Sequence, residues 1–194
     1  MDGYLPQTDS IMILPVYVYG SAVLRKKAQE VPLDQEGLQK LISDMWETMN
    51  HAEGVGLAAP QVGHPIRLFV VDGDSLSKDK PELKGFKRVM INPIILEEGK
   101  RQATHSEGCL SLPDIHVDID RPDEIVVEYY DQTLTKQEER LTGFACRMVL
   151  HEHDHLEGIV FTDRASAIRK KMLASKLRSI ANGKGSASYR TVLD

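Results

Sequence analysis

The residues with the most chemistry in their spacing are His151-Glu152-His153-Asp154-His155. On a helix, histidines four apart are offset by only about 40° and lie one turn apart on one face, so their ring nitrogens can reach a single metal ion. Glu152 lies about 100° round the helix from His151. It is poorly placed as a ligand, but it can lean over the open side of a metal and take a proton from water. That division of roles is the H-E-x-x-H logic of a metal-dependent hydrolase. An exposed helix that happens to carry three histidines would read the same, so the metal reading needs a further ligand from elsewhere in the chain.

A catalytic metal keeps three protein ligands and one open position. In metallopeptidases with this helix the third ligand lies downstream, and here the position that pattern needs is Phe161, which cannot bind a metal. Glu157 faces away from the two histidines, and Asp163 lies beyond the expected helix end. Upstream stands Glu107-Gly108-Cys109-Leu110-Ser111-Leu112-Pro113. A thiolate there is a good ligand for Zn²⁺ or Fe²⁺ beside imidazoles. Cys146 competes, but it sits five residues before His151 on the same expected helix, about 140° away, and suits core packing.

The elements that must position these residues read as follows. Residues 11–19 suggest a strand with Pro15 at an edge. Asp34 is the expected N-cap of a helix carrying Leu38, Leu41, Ile42, Met45 and Met49, which ends near Glu53-Gly54. Gly54-Val55-Gly56-Leu57-Ala58-Ala59-Pro60-Gln61 removes side-chain bulk. It fits neither the P-loop nor the dinucleotide spacing, so it reads as a loop receiving an extended peptide-like ligand, with a tight packing turn as the alternative. Strands are expected at 67–71, at 89–95 with an interruption at Asn92-Pro93, and at 125–130 paired with 140–142; residues 73–88 read as a surface loop. The metal helix spans 144–156. A second long helix at 164–181 has Ile168, Met172, Leu173, Leu177 and Ile180 as its expected buried stripe, and 183–194 reads as a flexible tail. Strands come early and are not regularly interleaved with helices, so the class is α+β, with mixed or antiparallel sheets packed around the central helix and a C-terminal helix beyond it.

The chain has 194 residues, 41% apolar and 27% charged, which suits one domain over 1–194, with residues 1–10 a patternless extension. No apolar run approaches a membrane span, and residues 11–19 lack the basic leader of a signal peptide. Two cysteines make no disulfide framework, which points to reduced thiols in the cytoplasm. Net charge is −5, yet residues 164–184 carry seven Lys/Arg and no acid. That contrast suggests a solvated face or a polyanionic partner for the C-terminal helix alone, with no membrane or DNA partner expected.

Together the three segments resemble the peptide deformylases. That family is marked by a G-x-G-x-A-A-x-Q loop, an E-G-C-L-S turn and an H-E-x-D-H helix in this order, and all three stand here at 54–61, 107–111 and 151–155. The resemblance spans roughly residues 11–180 and, with three motifs in register, is very specific. It implies that Cys109, His151 and His155 bind a metal, ferrous iron in the usual member, with Zn²⁺, Ni²⁺ or Co²⁺ as alternatives. It implies Glu152 as general base and then acid, and Gln61 with the Leu110 backbone N–H as oxyanion donors. Val55, Gly56 and Gly108 would hold the substrate backbone as an added strand, and Phe144 and Met148 would line a methionine pocket. Arg121 would support the thiolate ligand from behind. His116 stands where many members have a substrate-contacting arginine, Arg147 stands at an often apolar pocket position, and His153 stands at a variable position expected to be exposed. The implied substrate is the formylated methionine of nascent peptides, and a ribosome contact through the basic helix would suit that role.

Overall fold

Successive side chains of Leu68-Phe69-Val70-Val71 turn to opposite faces of a sheet, and each face is covered by a helix. The structure, a computed structural model, describes residues 10–194; the extension expected at 1–10 lies, apart from Ser10, outside them. In chain order the elements are β1 (Val16–Tyr17), α1 (Leu38–His51), β2 (Gly56–Ala58), β3 (Leu68–Asp72), β4 (Lys87–Glu98), β5 (Gln102–Cys109), β6 (Leu112–Pro122), β7 (Glu124–Tyr130), β8 (Lys136–Thr142), α2 (Gly143–Leu156), α3 (Ala167–Ala181) and β9 (Thr191–Val192). An antiparallel sheet runs in the order β2-β3-β4-β7-β8, so β2 is an edge strand. Phe69 and Val71 join Met90, Ile125 and Val127 under α2, through Cys146, Val149 and Leu150. Leu68 and Val70 join Leu57, Val89 and Ile91 under α1, through Leu38, Ile42, Met45 and Met49. Burial on both faces is why β3 reads as an unbroken apolar run. The α+β class, with antiparallel sheets around the H-E-x-x-H helix and a C-terminal helix beyond, is the observed one.

A separate hairpin, β5-β6, carries Cys109 at its tip. Its inner face (Leu112, Ile115, Val117, Ile119) packs on Phe161 and on Leu173, Leu177 and Ile180 of α3. Ile168 and Met172 are 75% and 78% exposed, against the stripe expected from sequence. The apolar residues of α3 form two faces, and Arg169, bonded to Asp118 of β6, sits with the face that packs.

Other boundaries move for local reasons. The strand expected over 11–19 shrinks to β1, because Met12 and Leu14 donate their N–H groups to Asp44 and Thr48 of α1. Asp34 lies in a turn and does not cap α1; Gly37, with φ 79°, precedes the first helical residue. Residues 74–76 and 81–83 form short 3-10 turns within the expected surface loop, where Leu83 and Phe86 are buried. The tail expected to be flexible is structured at its end: β9 pairs in parallel with β1, and Arg190 accepts from the Val16 N–H.

Candidate metal centre

The hairpin tip and α2 meet at three donors. Cys109, His151 and His155 each offer one ligand atom, all within 4.8 Å of one another, and the Cys109 sulfur lies 3.2 Å from His155 Nε2. The two imidazoles stand edge to face, 5.3 Å between centroids. Helical spacing brings the histidines together, as the sequence implies. The thiol arrives through the two-residue turn Leu110-Ser111, which joins paired Cys109 and Leu112. Gly158, with φ 72°, follows the helix and turns the chain away after His155.

What locks the hairpin to the helix is a buried charged network that spacing alone does not reveal. Glu107 of β5 accepts from Arg121 Nε and Nη2 at 2.7 and 2.9 Å, and from Arg147 Nη1 at 2.7 Å. It also lies 2.8 Å from His151 Nδ1, which leaves Nε2 of that ring for the centre. Arg121 continues to Asp154 at 2.6 Å, and Arg164 pairs with the same carboxylate. Arg147 also donates to the backbone carbonyls of Ile119 and Ala103. Arg121 therefore bonds Glu107 and Asp154 and reaches the centre through them, while Arg147 belongs to the network. Burial opposes ionisation of Glu107, yet His151 and Arg121 hold it far below the ordinary carboxylate range.

The donors suit a cation. Burial alone would raise the Cys109 thiol, but the charge of His155 and hydrogen bonding from His151 bring it down to about 5. A thiolate with two imidazoles is a borderline-soft set that accepts Zn²⁺ or Fe²⁺. His151 already has Glu107 fixing its ring from behind, the usual arrangement for a metal-bound histidine. Cys146 stays out: it is buried against the Pro122 carbonyl, and burial pushes its thiol up to about 12.

Glu152 is buried beside these donors, and its Oε2 has no hydrogen-bond partner. Burial raises its carboxyl to about 7, against the opposing charges of His151 and His155. A Cβ at position 56 would overlap its carboxylate, so only glycine lets β2 pass this close. Gln61 is oriented by accepting from the Ala58 N–H at 2.8 Å. Its amide nitrogen is then aimed at Ser111 Oγ (3.1 Å) and the Cys109 sulfur (3.3 Å).

These groups line a cavity of about 560 Å³. Val55, Gly56, Gly108 and Leu110 border it, with Phe144 and Met148 as its apolar part and His116 on the rim. All the site residues expected from sequence line this one cavity save two: Arg121, behind the centre, and His155, the fully buried one of its three donors. His153 is half-buried, 3.2 Å from Arg67 Nη2, against the exposure expected for it. Two contributors were missed. Glu107 lies in the E-G-C-L-S turn, where spacing alone gives the carboxylate no role, and Tyr189 lies in the tail; its hydroxyl donates to the Leu110 carbonyl at 2.7 Å.

The family model for polypeptide deformylases matches residues 13–171, stopping short of that tail. A curated peptide deformylase of Christiangramia forsetii is 44% identical over 186 residues, 92% of this chain and 95% of its own length. Among solved structures, peptide deformylase from Thermus thermophilus aligns with TM-score 0.79 at 36% identity, over 89% of this chain and 99% of that one. The enzyme from Thermotoga maritima aligns with TM-score 0.72 at 42% identity, over 79% and 98%. With its three motifs folded around one cavity, the chain belongs to the peptide deformylase family, metal-dependent hydrolases that remove the formyl group from the amino terminus of new proteins.

Proposed function

We propose that Cys109, His151 and His155 hold the metal and that Glu152 carries the proton in deformylation of formyl-methionyl peptides. The observation that carries this reading is the unpartnered, buried Glu152 carboxylate standing against the three donors. A divalent ion held there supplies Lewis acidity, lowering the pKa of water toward ~7 and drawing charge from a carbonyl oxygen. The donor set accepts Fe²⁺, Zn²⁺, Ni²⁺ or Co²⁺ alike; Fe²⁺ as the resident ion follows from the resemblance to the family.

The substrate enters as an added strand along the edge of β2, where Val55 and Gly56 offer backbone groups and Gly108 faces them across the groove. The methionine side chain enters the apolar end formed by Phe144 and Met148. Glu152 takes a proton from water as its oxygen bonds to the formyl carbon. The Gln61 amide and the Leu110 N–H donate to the carbonyl oxygen as it becomes an oxyanion. The carbon–nitrogen bond then breaks as Glu152 passes its proton to the leaving nitrogen. Formate and a free amino terminus result. Backbone pairing leaves later residues of the peptide almost unread, which suits an enzyme that must accept many proteins.

Action on newly made chains suits the cytoplasm as the location of this reaction. Arg164 and Arg169 of the basic stretch are engaged with Asp154 and Asp118. Lys170, Lys171, Lys176 and Arg178 are exposed and supply the charge for a ribosomal RNA contact. Deleting the helix would strip the hairpin's packing, so charge reversal at Lys170, Lys171 and Lys176 is the cleaner test, and unchanged ribosome pelleting would remove the contact. The function itself is tested by formate release from a formyl-Met-Ala-Ser peptide. Release is expected from the metal-loaded chain and is expected to stop on chelation; metal-loaded protein that releases none contradicts the reading.

A further inference from the structure

The tail crosses the mouth of the same cavity. After α3 the chain doubles back and is tied down again where β9 pairs with β1, with the Ala22 N–H donating to Asp194 as well. Between these anchors Ser186, Ala187, Ser188 and Tyr189 line the cavity. Ser186 and Ser188 are exposed, while Ala187 and Tyr189 are half-buried. This span is irregular, uncharged and small except for Tyr189.

The Leu110-Ser111 turn is held from three directions. Gln61 donates to Ser111 Oγ, the Tyr19 N–H donates to the Ser111 carbonyl at 2.8 Å, and the Tyr189 hydroxyl donates to the Leu110 carbonyl. Leu110 is the residue whose N–H faces the oxyanion in the reading above. Its N–H and carbonyl sit on neighbouring peptide planes joined at one Cα, so fixing the carbonyl limits how far the N–H can swing.

We propose that the C-terminal segment is part of the substrate site: Tyr189 is a positioning residue for the Leu110 N–H, and residues 186–188 form the wall met by the peptide beyond its formyl-methionine. This rests on the deformylase reading of the site. The two roles separate by substrate length. Positioning acts at the reacting carbonyl and touches every substrate alike. The wall touches only peptides long enough to reach it.

The test uses the full-length, metal-loaded chain with formyl-Met amide and a formyl-Met hexapeptide. Tyr189→Phe removes one hydroxyl. It is expected to lower kcat about three- to tenfold on both substrates, with KM, metal content and melting temperature near parental values, because one supporting hydrogen bond is lost and no donor to the oxyanion is. Ser188→Trp is expected to raise KM for the hexapeptide roughly fivefold or more, and by a clearly smaller factor for formyl-Met amide, since most of the added bulk lies along the later residues. Parental kcat in Tyr189→Phe overturns the positioning role. A Ser188→Trp effect that is absent, or equal on both substrates, overturns the wall. A parent chain that releases no formate from either substrate removes the underlying reading and this one with it.

Discussion

Glu107 offers the sharpest test of how the centre is built. Its two oxygens face four donors: Oε1 meets Arg121 Nε and Arg147 Nη1, and Oε2 meets Arg121 Nη2 and His151 Nδ1. Glu107→Gln keeps the shape, removes the charge and replaces one acceptor oxygen by an NH₂ group. Whichever way the amide turns, it presents donor to donor on one side, leaves Arg147 without a carboxylate and leaves Arg121 with Asp154 alone, at sites only 4% and 2% exposed. Breaking a buried ion pair from one side costs about 3–5 kcal/mol. In a domain of this size each kcal/mol moves the melting temperature by about 2–4 °C, so a fall of roughly 6–20 °C is expected. His151 also loses the group that fixes its ring, a change that weakens metal binding by about 10- to 100-fold. The assays are thermal melting of chelator-stripped protein and metal competition against a chromogenic chelator. Glu107 also sets a pH signature. Its folded-state pKa is depressed, so its contribution is present above the unfolded value of about 4.3 and is lost as pH falls below it. The stability gap between parent and variant in stripped protein should therefore narrow in acid. Equal melting temperatures and equal metal affinities at neutral pH would refute this reasoning.

Glu152→Gln is expected to keep its metal and lose activity by about 10²–10⁴-fold in formate release, the range for removing a general acid–base; wild-type rates would end the assignment. Because Glu152 is buried without a partner for Oε2, the same variant should melt no lower than the parent in a thermal scan. Gly56→Ala should cut kcat/KM at least about tenfold with unchanged metal content, since its methyl group must displace either the Glu152 carboxylate or β2. After chelation at neutral pH, iodoacetamide followed by peptide mass mapping should find Cys109 alkylated and Cys146 untouched until the protein unfolds, because their thiols are shifted in opposite directions.

What could be read from the chain was what is local. The histidine spacing, the low-bulk loop before Gln61 and the thiol at 109 are short-range patterns, and the fold brings all three together at one cavity. The helix rotations and the network were not local. Glu107 draws its partners from positions 14, 40 and 44 residues away, and no periodicity ties it to them. Strand β5 gives no alternating signal because both its faces are polar and its one buried residue is Glu107, although β6 alternates in burial along Ile115, Val117, Ile119 and Arg121. α3 carries apolar residues on two faces, and only contact with β6 selects one. Tyr189 reaches Leu110 across 79 residues. Its segment reads as a mobile tail because irregular, small-residue sequence looks alike whether it is free or tied down by a two-residue strand at its end.

In the proposed centre one sulfur and two imidazoles share an ion. X-ray absorption on the zinc-loaded chain tests it most directly. Expected are one Zn–S distance of about 2.3 Å and two Zn–N distances of about 2.0–2.1 Å, with the sulfur scattering gone in Cys109→Ser. A metal shell without sulfur, or one that Cys109→Ser leaves unchanged, would contradict it.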